Sequence, residues 1–346
     1  MARAGDDTTG DDPAGDDAAP DRVIEERAPA KVNLDLRVTA RRADGYHDLD
    51  SLVVFTELAD RLTLRRADSW SLETGGPFAA GLPAVEDDLV WRAAQRLHRY
   101  APDRPPVSIR LTKNLPVAGG IGGGSADAAA VLRGLRRLWN LTIDDERLRE
   151  IGLGLGADVP ACIHGQPLRM RGIGERLDPV RGLPDIPLLL VNPGRALPTA
   201  DVFRSLRIAG TAAPRAPMPV GAGVTRLAVW LASSRNDLEE AAIARQPVIH
   251  SILEELRALP GALLARMSGS GATCFGLFAT PEATREAART LAATRPDWWI
   301  APTTIPADAP PNRSAPWENR PDTDPSDCHP RREPLFRRPR WGVAKR

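Results

Sequence analysis

Apolar and polar residues are arranged along the middle of the chain in patterns that predict both strands and helices. Strands are predicted where apolar residues alternate with polar ones or run unbroken: 31–39, 50–56, 107–111, 186–191 and a strand-turn-strand unit at 261–278. Helices are predicted where apolar residues recur at helical spacing: 126–138, 224–232, 248–259, 281–294 and a segment ending near Gly156. The two kinds of element do not alternate regularly, so the pattern predicts an α+β fold.

Both ends of the chain lack this patterning. Residues 1–22 contain repeated Asp-Asp pairs and almost no large apolar side chain, which predicts a disordered acidic arm. Residues 303–346 are rich in proline and arginine and predict a second disordered segment. The alternative for this tail is a basic arm that docks on RNA, on an acidic membrane or on the acidic N-terminal arm. Between the ends we expect two lobes, 23–184 and 185–302.

Composition and charge narrow the class of protein without identifying it. The chain has 346 residues, 42% of them hydrophobic, and a formal net charge of +1, which gives no indication of a nucleic-acid partner. No apolar run is long enough to cross a bilayer, and the acidic start does not resemble a signal peptide. We therefore expect a cytoplasmic enzyme without a membrane partner.

The three cysteines are far apart and show no spacing typical of a zinc site or a disulfide scaffold. Cys162 and Cys274 stand in apolar surroundings, and free cysteine is among the most buried residue types. We expect both to be small core residues.

Candidate chemistry begins with the segment PVAGGIGGGSADAA at 116–129, which has five glycines between Gly119 and Gly124. It follows a predicted strand and leads into a predicted helix. Glycine permits positive φ and close approach of the backbone to a ligand, and the N-terminus of a helix favours anions. The segment predicts a phosphate-binding loop for a polyphosphate. A flexible linker is the alternative, and the Walker and Rossmann patterns are both absent.

Six further segments occur in an order and spacing that carry a resemblance: APAKVNLDLRV at 28–38, DGYHDLDSL at 44–52, LGADVPACIHG at 155–165, VNPGRALPTADVF at 191–203, RNDLE at 235–239 and MSGSGATCFGLF at 267–278. Together with the glycine loop they resemble the GHMP small-molecule kinases over about 23–300. The resemblance implies an N-terminal lobe of the ribosomal protein S5 domain 2-like type, a ferredoxin-like C-terminal lobe and an active site between them. It also implies ATP and Mg²⁺ as cofactors. The sequence leaves open whether the protein is a monomer or homodimer.

The resemblance implies roles for particular residues. Asp158 matches the general base of the family, and Lys31 matches the lysine that pairs with it. A turn-forming aspartate and a solvated lysine are the alternatives. The residues that would hold ATP are those of the loop and its flanks: Pro116, Val117, Ala118, Gly119, Gly120, Ile121, Gly122, Gly123, Gly124, Ser125 and Ala126.

Substrate recognition is implied by a second set of residues. The resemblance is greatest to the branch that phosphorylates a cytidyl diphosphate ester of methylerythritol. Tyr46 and His47 match the pair that receives cytosine by stacking and hydrogen bonding, and Phe203 matches the ring that covers the other face. Asn33 and Thr199 match contacts to the erythritol and diphosphate, and Asp158 also faces this substrate.

Two positions near the loop are open to more than one interpretation. The family often has asparagine where this chain has Asp127, and an extra negative charge would repel triphosphate, although it could also favour the helix N-terminus. Lys113 and Asn114 could reach the adenosine or the phosphates, and a surface position is the alternative for Lys113.

Two other functions remain open from the sequence. A related kinase for homoserine, mevalonate or a sugar would leave Tyr46, His47 and Phe203 without a role in binding. A nucleic-acid-binding or protein-binding module would use the S5-like lobe with the basic tail as its arm, and this predicts salt-dependent retention on RNA.

Overall fold

The computed structural model describes residues 22–206 and 216–307 as an α+β structure with two sheets. The strands are β1 Val23–Asn33, β2 Arg37–Arg41, β3 His47–Arg66, β4 Ser71–Gly75, β5 Val107–Thr112, β6 Leu168–Gly172, β7 Arg176–Pro179, β8 Ile186–Asn192, β9 Ala262–Met267, β10 Cys274–Phe278 and β11 Trp299–Ile305. The helices are α1 Leu89–His98, α2 Gly123–Leu138, α3 Asp145–Leu153, α4 Val159–His164, α5 Thr199–Ser205, α6 Val224–Ala232, α7 Glu239–Arg245, α8 Val248–Ala258 and α9 Pro281–Thr294, with short 3₁₀ helices at Ala79–Gly81 and Val85–Asp87. The predictions for 1–21 and 308–346 lie outside the described residues.

The first sheet is built around the long strand β3. The strand order is β4-β5-β3-β6-β7, and β1 and β2 also pair with β3. Exposed and buried residues alternate along the first half of β1, so one face of that strand contacts the core. Helix α2 covers this face with four buried alanines, Ala126, Ala128, Ala129 and Ala130. Their short side chains let the helix lie close to the strands.

The second sheet has the order β11-β8-β10-β9, and all of its pairs are antiparallel. Every residue of β8 is buried, as expected of a central strand covered on both faces. One face packs against residues of α8 and α9, including Ile252 and Leu291. The two sheets confirm the predicted two-lobed α+β fold.

The two halves are joined through the segment that follows β1. The sequence predicts one strand over 31–39, but the structure ends β1 at Asn33 and begins β2 at Arg37. The residues between turn towards the second half, where the Leu36 N–H donates to the Arg235 carbonyl at 3.0 Å. Val32 and Leu34 then pack in one cluster with Leu188 of the second sheet. The predicted strand is wrong at this break because a contact distant in sequence takes its backbone partners.

The predicted boundary of the C-terminal tail also needs correction. Strand β11 continues to Ile305, so residues 303–305 complete the second sheet and are not part of a disordered tail. Thr303 Oγ1 accepts a hydrogen bond from the Leu58 N–H at 3.2 Å. Within 22–206 and 216–307, no helix combines the length and apolar character needed to span a membrane.

Candidate active site

A single large cavity brings together most of the residues that the sequence predicts for the site. Its volume is about 1210 Å³, and both halves of the molecule contribute to its wall. Small-molecule sites typically occupy about 300–1,000 Å³, so this cavity is large enough for two ligands side by side. The predicted site residues in the wall are Lys31, Asn33, Tyr46, His47, Val117, Ala118, Gly119, Gly120, Gly122, Gly123, Gly124, Ser125, Asp158, Thr199 and Phe203.

Lys31 and Asp158 form an ion pair at the centre of the cavity. Lys31 Nζ lies 2.8 Å from Asp158 Oδ1, and the lysine side chain is 4% exposed while the aspartate is 36% exposed. Asp158 precedes α4 but makes no side-chain cap, since the second helical residue, Pro160, has no N–H to donate. Its carboxylate is therefore available to Lys31 and to the cavity.

Asn33 holds this lysine in place. Its Oδ1 accepts a hydrogen bond from Lys31 Nζ at 3.1 Å, and its Nδ2 donates to Ser51 Oγ at 2.7 Å. The backbone N–H of Asn33 donates to Ser268 Oγ at 3.1 Å, which ties the strand to the second glycine motif. The sequence predicts a substrate contact for Asn33, and the structure adds a role in orienting Lys31.

The glycine loop adopts the conformations that its composition predicts. Ala118, Gly120 and Gly122 have φ of 53°, 73° and 64°, and helix α2 begins at Gly123. The loop contacts Lys31 directly, because the Lys31 N–H donates to the Ile121 carbonyl at 2.9 Å. The glycine loop and the ion pair are thus parts of one site.

The second glycine motif, residues 268–273, packs against the first. The Thr273 N–H donates to the Gly119 carbonyl at 3.0 Å, and a Cβ added to Gly120 would lie 2.3 Å from the Gly271 carbonyl oxygen. Only two glycines allow the backbones to approach this closely. The motif encloses the loop side of the cavity.

Three predicted loop residues do not reach the cavity wall. Pro116, Ile121 and Ala126 are buried, and the side chains of Ile121 and Ala126 belong to the hydrophobic core. Any part they take in ligand binding is through holding the loop, because their side chains point into the core.

The residues predicted to bind cytosine lie together at the other end of the cavity. The His47 and Phe203 rings stack with centroids 5.1 Å apart and an interplanar angle of 30°. Tyr46 is 60% exposed beside them. Burial lowers the pKa of His47, and the Arg41 charge lowers it further, which favours the neutral imidazole. Thr199 Oγ1 lies 2.8 Å from Ser270 Oγ.

Lys113 is not a surface lysine. It is 1% exposed, and its Nζ contacts the carboxylates of Asp60 and Asp127, the latter at 2.5 Å. Asn114 does not line the cavity. Its backbone N–H donates to Asp60 Oδ1 at 2.5 Å and its Nδ2 donates to the Ala59 carbonyl at 3.0 Å. Lys113 is therefore a buried residue that nevertheless lines the cavity, beside Asp127.

Part of the wall was missed from the sequence: Leu82, Pro83, Asp87, Asp88 and Leu89. Asp88 caps α1, where its Oδ1 accepts from the Val90 N–H at 2.7 Å. Burial raises the pKa of Asp88. An acidic residue before an apolar helical run is a helix-start signal, and it could have located the helix but not its position beside the loop.

The sequence predicts that Cys162 and Cys274 are small core residues. Cys162 and Cys274 are buried, which confirms the predicted core positions, and burial raises the pKa of the Cys162 thiol to about 12. Such a thiol is not a nucleophile at neutral pH. In the part of the chain that the structure describes, no group of three or more His, Cys, Asp or Glu side chains is arranged to hold a metal ion.

Comparison with known proteins agrees with this arrangement. Residues 88–166 match the family described as GHMP kinases N terminal domain, and residues 224–297 match the one described as GHMP kinases C terminal. A protein of Brucella melitensis biotype 1 named 4-diphosphocytidyl-2-C-methyl-D-erythritol kinase is 51% identical over 286 residues, or 81% of this chain and 94% of that protein. A protein of Parvibaculum lavamentivorans with the same name is 51% identical over 279 residues, or 80% of this chain and 96% of that protein.

Solved structures give the same result. The crystal structure of 4-(cytidine 5'-diphospho)-2C-methyl-D-erythritol kinase has a TM-score of 0.67 and 37% identity, and the match covers 82% of this chain and 99% of that one. Homoserine kinase from Cytophaga hutchinsonii has a TM-score of 0.62 at 17% identity, covering 82% of this chain and 96% of that one, so this likeness is one of fold.

Proposed function

This chain belongs to the family of 4-diphosphocytidyl-2-C-methyl-D-erythritol kinases within the GHMP kinases, and from that membership we propose how its own residues act. It is an ATP-dependent kinase that phosphorylates the 2-hydroxyl of 4-diphosphocytidyl-2-C-methyl-D-erythritol in isoprenoid precursor synthesis. The observation that carries the proposal is the Lys31–Asp158 pair, 2.8 Å apart, in a cavity with the glycine loop and the His47–Phe203 stack. The kinases for homoserine, mevalonate and sugars are not favoured.

Asp158 is the proposed general base. Its partly exposed carboxylate lines the cavity and accepts the proton of the substrate hydroxyl as that oxygen attacks the γ-phosphorus of ATP. Lys31 holds the carboxylate in place, and its positive charge stabilises the negative charge that develops on the attacking oxygen. Asn33 fixes the lysine by accepting a hydrogen bond from Nζ.

The glycine loop is proposed to bind the ATP phosphates. Backbone N–H groups at the start of α2 and the hydroxyl of Ser125 lie at the cavity wall, where the positive end of the helix dipole favours anions. Because the described residues contain no metal-binding cluster of their own, Mg²⁺ would be held chiefly by phosphate oxygens and enter with the nucleotide. When bound, Mg²⁺ neutralises phosphate charge.

The aromatic group is proposed to select the cytidyl end of the substrate. A base inserted between the His47 and Phe203 rings would require these rings to lie about two stacking distances apart. Their centroids are only 5.1 Å apart, so a base does not fit between them. We propose that the base instead stacks against Phe203 and the exposed ring of Tyr46, and that the neutral His47 imidazole supplies a hydrogen bond at its edge. Thr199, beside Ser270, faces the diphosphate.

Phe203→Ala should raise the KM for the cytidyl substrate by about 5- to 150-fold, because loss of one base-aromatic stack costs roughly 1–3 kcal/mol. The KM for ATP should stay close to the wild-type value. Steady-state kinetics with each substrate varied in turn measures both. Phe203→Tyr, which retains the aromatic face, is the matched control. An equal loss in both variants, or a change confined to ATP, would reject the stacking role.

The direct test of function is ATP-dependent phosphorylation by the purified full-length protein in the presence of Mg²⁺. We expect turnover with 4-diphosphocytidyl-2-C-methyl-D-erythritol and none with homoserine, mevalonate or galactose, since only the first offers a base to the aromatic group. Phosphorus NMR of the product identifies the hydroxyl that is modified. Turnover with one of the other alcohols alone would overturn the proposed substrate while leaving the kinase assignment. Cytoplasmic location and a monomeric or homodimeric state stay predictions.

A further inference from the structure

Three charged side chains form a buried cluster directly beneath the glycine loop: Asp60, Lys113 and Asp127. Their exposures are 0%, 1% and 1%. Lys113 Nζ contacts both carboxylates, one on β3 and the other on the first turns of α2. A Cβ added to Gly123 would lie 3.1 Å from Lys113 Nζ, so the ammonium packs directly under the first residue of α2.

The hydrogen bonds of the cluster distinguish its two carboxylates. Asp60 Oδ1 accepts from the N–H groups of Asn114 and Leu115, at 2.5 and 2.8 Å, and Asp60 Oδ2 accepts from Lys113. Asp127 Oδ2 also accepts from Lys113, at 2.5 Å. Asp127 Oδ1 is buried and, among the described residues, has no hydrogen-bond partner. Asp60 is thus fully supplied with donors as an anion, whereas Asp127 is not.

Charge balance points to the same difference. Two carboxylates facing one ammonium would leave a net negative charge among buried side chains, and uncompensated buried charge is strongly unfavourable. Two carboxyls that share such a site ordinarily retain one proton between them. Asp127, the carboxyl that accepts fewer hydrogen bonds, is the one able to retain it.

We propose that Asp127 is protonated at neutral pH, that Asp60 and Lys113 form the charged pair, and that this neutral cluster positions the start of α2 for ATP. Burial raises the pKa of Asp127 well above its ordinary value, and the charge of Asp60 raises it further, against the opposing effect of Lys113. The pKa of Lys113 is raised although burial of the ammonium lowers it, because its acidic neighbours outweigh burial. With Asp127 protonated, the charge of Asp60 is the one that keeps Lys113 an ammonium.

The charge state of Asp127 affects how the start of α2 interacts with the phosphates of ATP. Asp127 lies one helical turn after Gly123 and lines the cavity, so an ionised carboxylate there would repel the triphosphate at the helix terminus that should attract it. A protonated carboxyl keeps the contact with Lys113 without adding charge. Asp127 is therefore a positioning residue. The inference rests on the proposed role of the glycine loop in ATP binding.

Two variants of Asp127 test this inference. Asp127→Asn should leave the KM for ATP within about threefold of wild type, because the amide has the shape and neutrality of the protonated acid. Asp127→Ala should raise that KM by at least about tenfold, because Lys113 loses a partner and the helix start is released. Thermal unfolding of both variants distinguishes a local effect on ATP binding from a general loss of protein stability. Equal damage in both variants would overturn the proposal.

Infrared difference spectroscopy tests the proton directly and needs no substrate. The wild-type minus Asp127→Asn difference spectrum should contain a protonated carboxyl band at neutral pH. In Asp60→Asn the same band should disappear although Asp127 remains, because one ammonium then faces one carboxyl, which ionises. Absence of the band from wild type, or its persistence in Asp60→Asn, would reject the inference. Absence of turnover by a protein with the band would instead reject the proposed function.

Discussion

Asp158→Asn should lower kcat by about 10²–10⁴-fold, the usual contribution of a positioned general base. The amide keeps the shape of the carboxylate but cannot accept the proton of the substrate hydroxyl. Because the carboxylate pairs with Lys31 and makes no bond that supports the helix, the fold should be retained. The glycine loop is unaltered, so binding of ATP should remain within about threefold of wild type.

Single-turnover kinetics and calorimetric titration with ATP measure the two effects separately. The matched control is Asp145→Asn, which removes an exposed carboxylate that pairs with Arg136 on the same half of the molecule. That variant should keep wild-type kcat, since a surface ion pair contributes little to stability and nothing to the reaction. A kcat for Asp158→Asn close to that of the control would remove Asp158 from the reaction.

Gly120→Ala should reduce kcat/KM by at least about 100-fold and destabilise the protein by about 3 kcal/mol, combining left-handed backbone strain with overpacking. Gly120 has φ of 73°, and an added Cβ would lie 2.3 Å from the oxygen and 2.7 Å from the carbon of Gly271. Both are backbone atoms, so one glycine motif must move away from the other. The loop then loses the position in which it faces the cavity.

Gly261→Ala is the control that isolates the cost of a left-handed backbone conformation from the cost of overpacking. Gly261 has φ of 77° and nothing within 4 Å of an added Cβ, and it does not line the cavity. The free energy of unfolding of this variant should fall by only about 1 kcal/mol, and the variant should keep its activity. Urea unfolding and kcat/KM are compared for both variants. Equal behaviour of the two would mean that the contact between the glycine motifs is unimportant.

Much of the site could be predicted from sequence because its chemistry is concentrated in short segments. The glycine run, Asp158 after a helix and the Tyr46-His47 pair are each recognisable within a few residues, and the structure gathers all of them in one cavity. Helix α6 and helix α9 begin and end at the predicted residues, since their apolar spacing is regular and their limits are marked locally.

Errors arose where a residue's role depends on partners far along the chain. Lys113 was open to interpretation as a surface lysine because no residue near it in the sequence indicates that it pairs with Asp60. Asp60 lies on a strand that is distant in sequence. The strand predicted over 31–39 is interrupted because Leu36 bonds to Arg235. The part of the cavity wall formed by residues 82–89 was missed because its segment has no ligand-binding pattern of its own.

The sequence alone determined the family, the glycine loop and the two-lobed α+β architecture, and it predicted the base and its lysine. These follow from local spacing and from motifs whose residue types the chemistry requires. Only the tertiary structure decided which charged, polar and aromatic side chains contact one another. It placed Lys113 between two aspartates, set Asn33 against Lys31 and packed His47 on Phe203. Burial and charge pairing are properties of neighbours in space, and these neighbours come from separate strands, helices and loops.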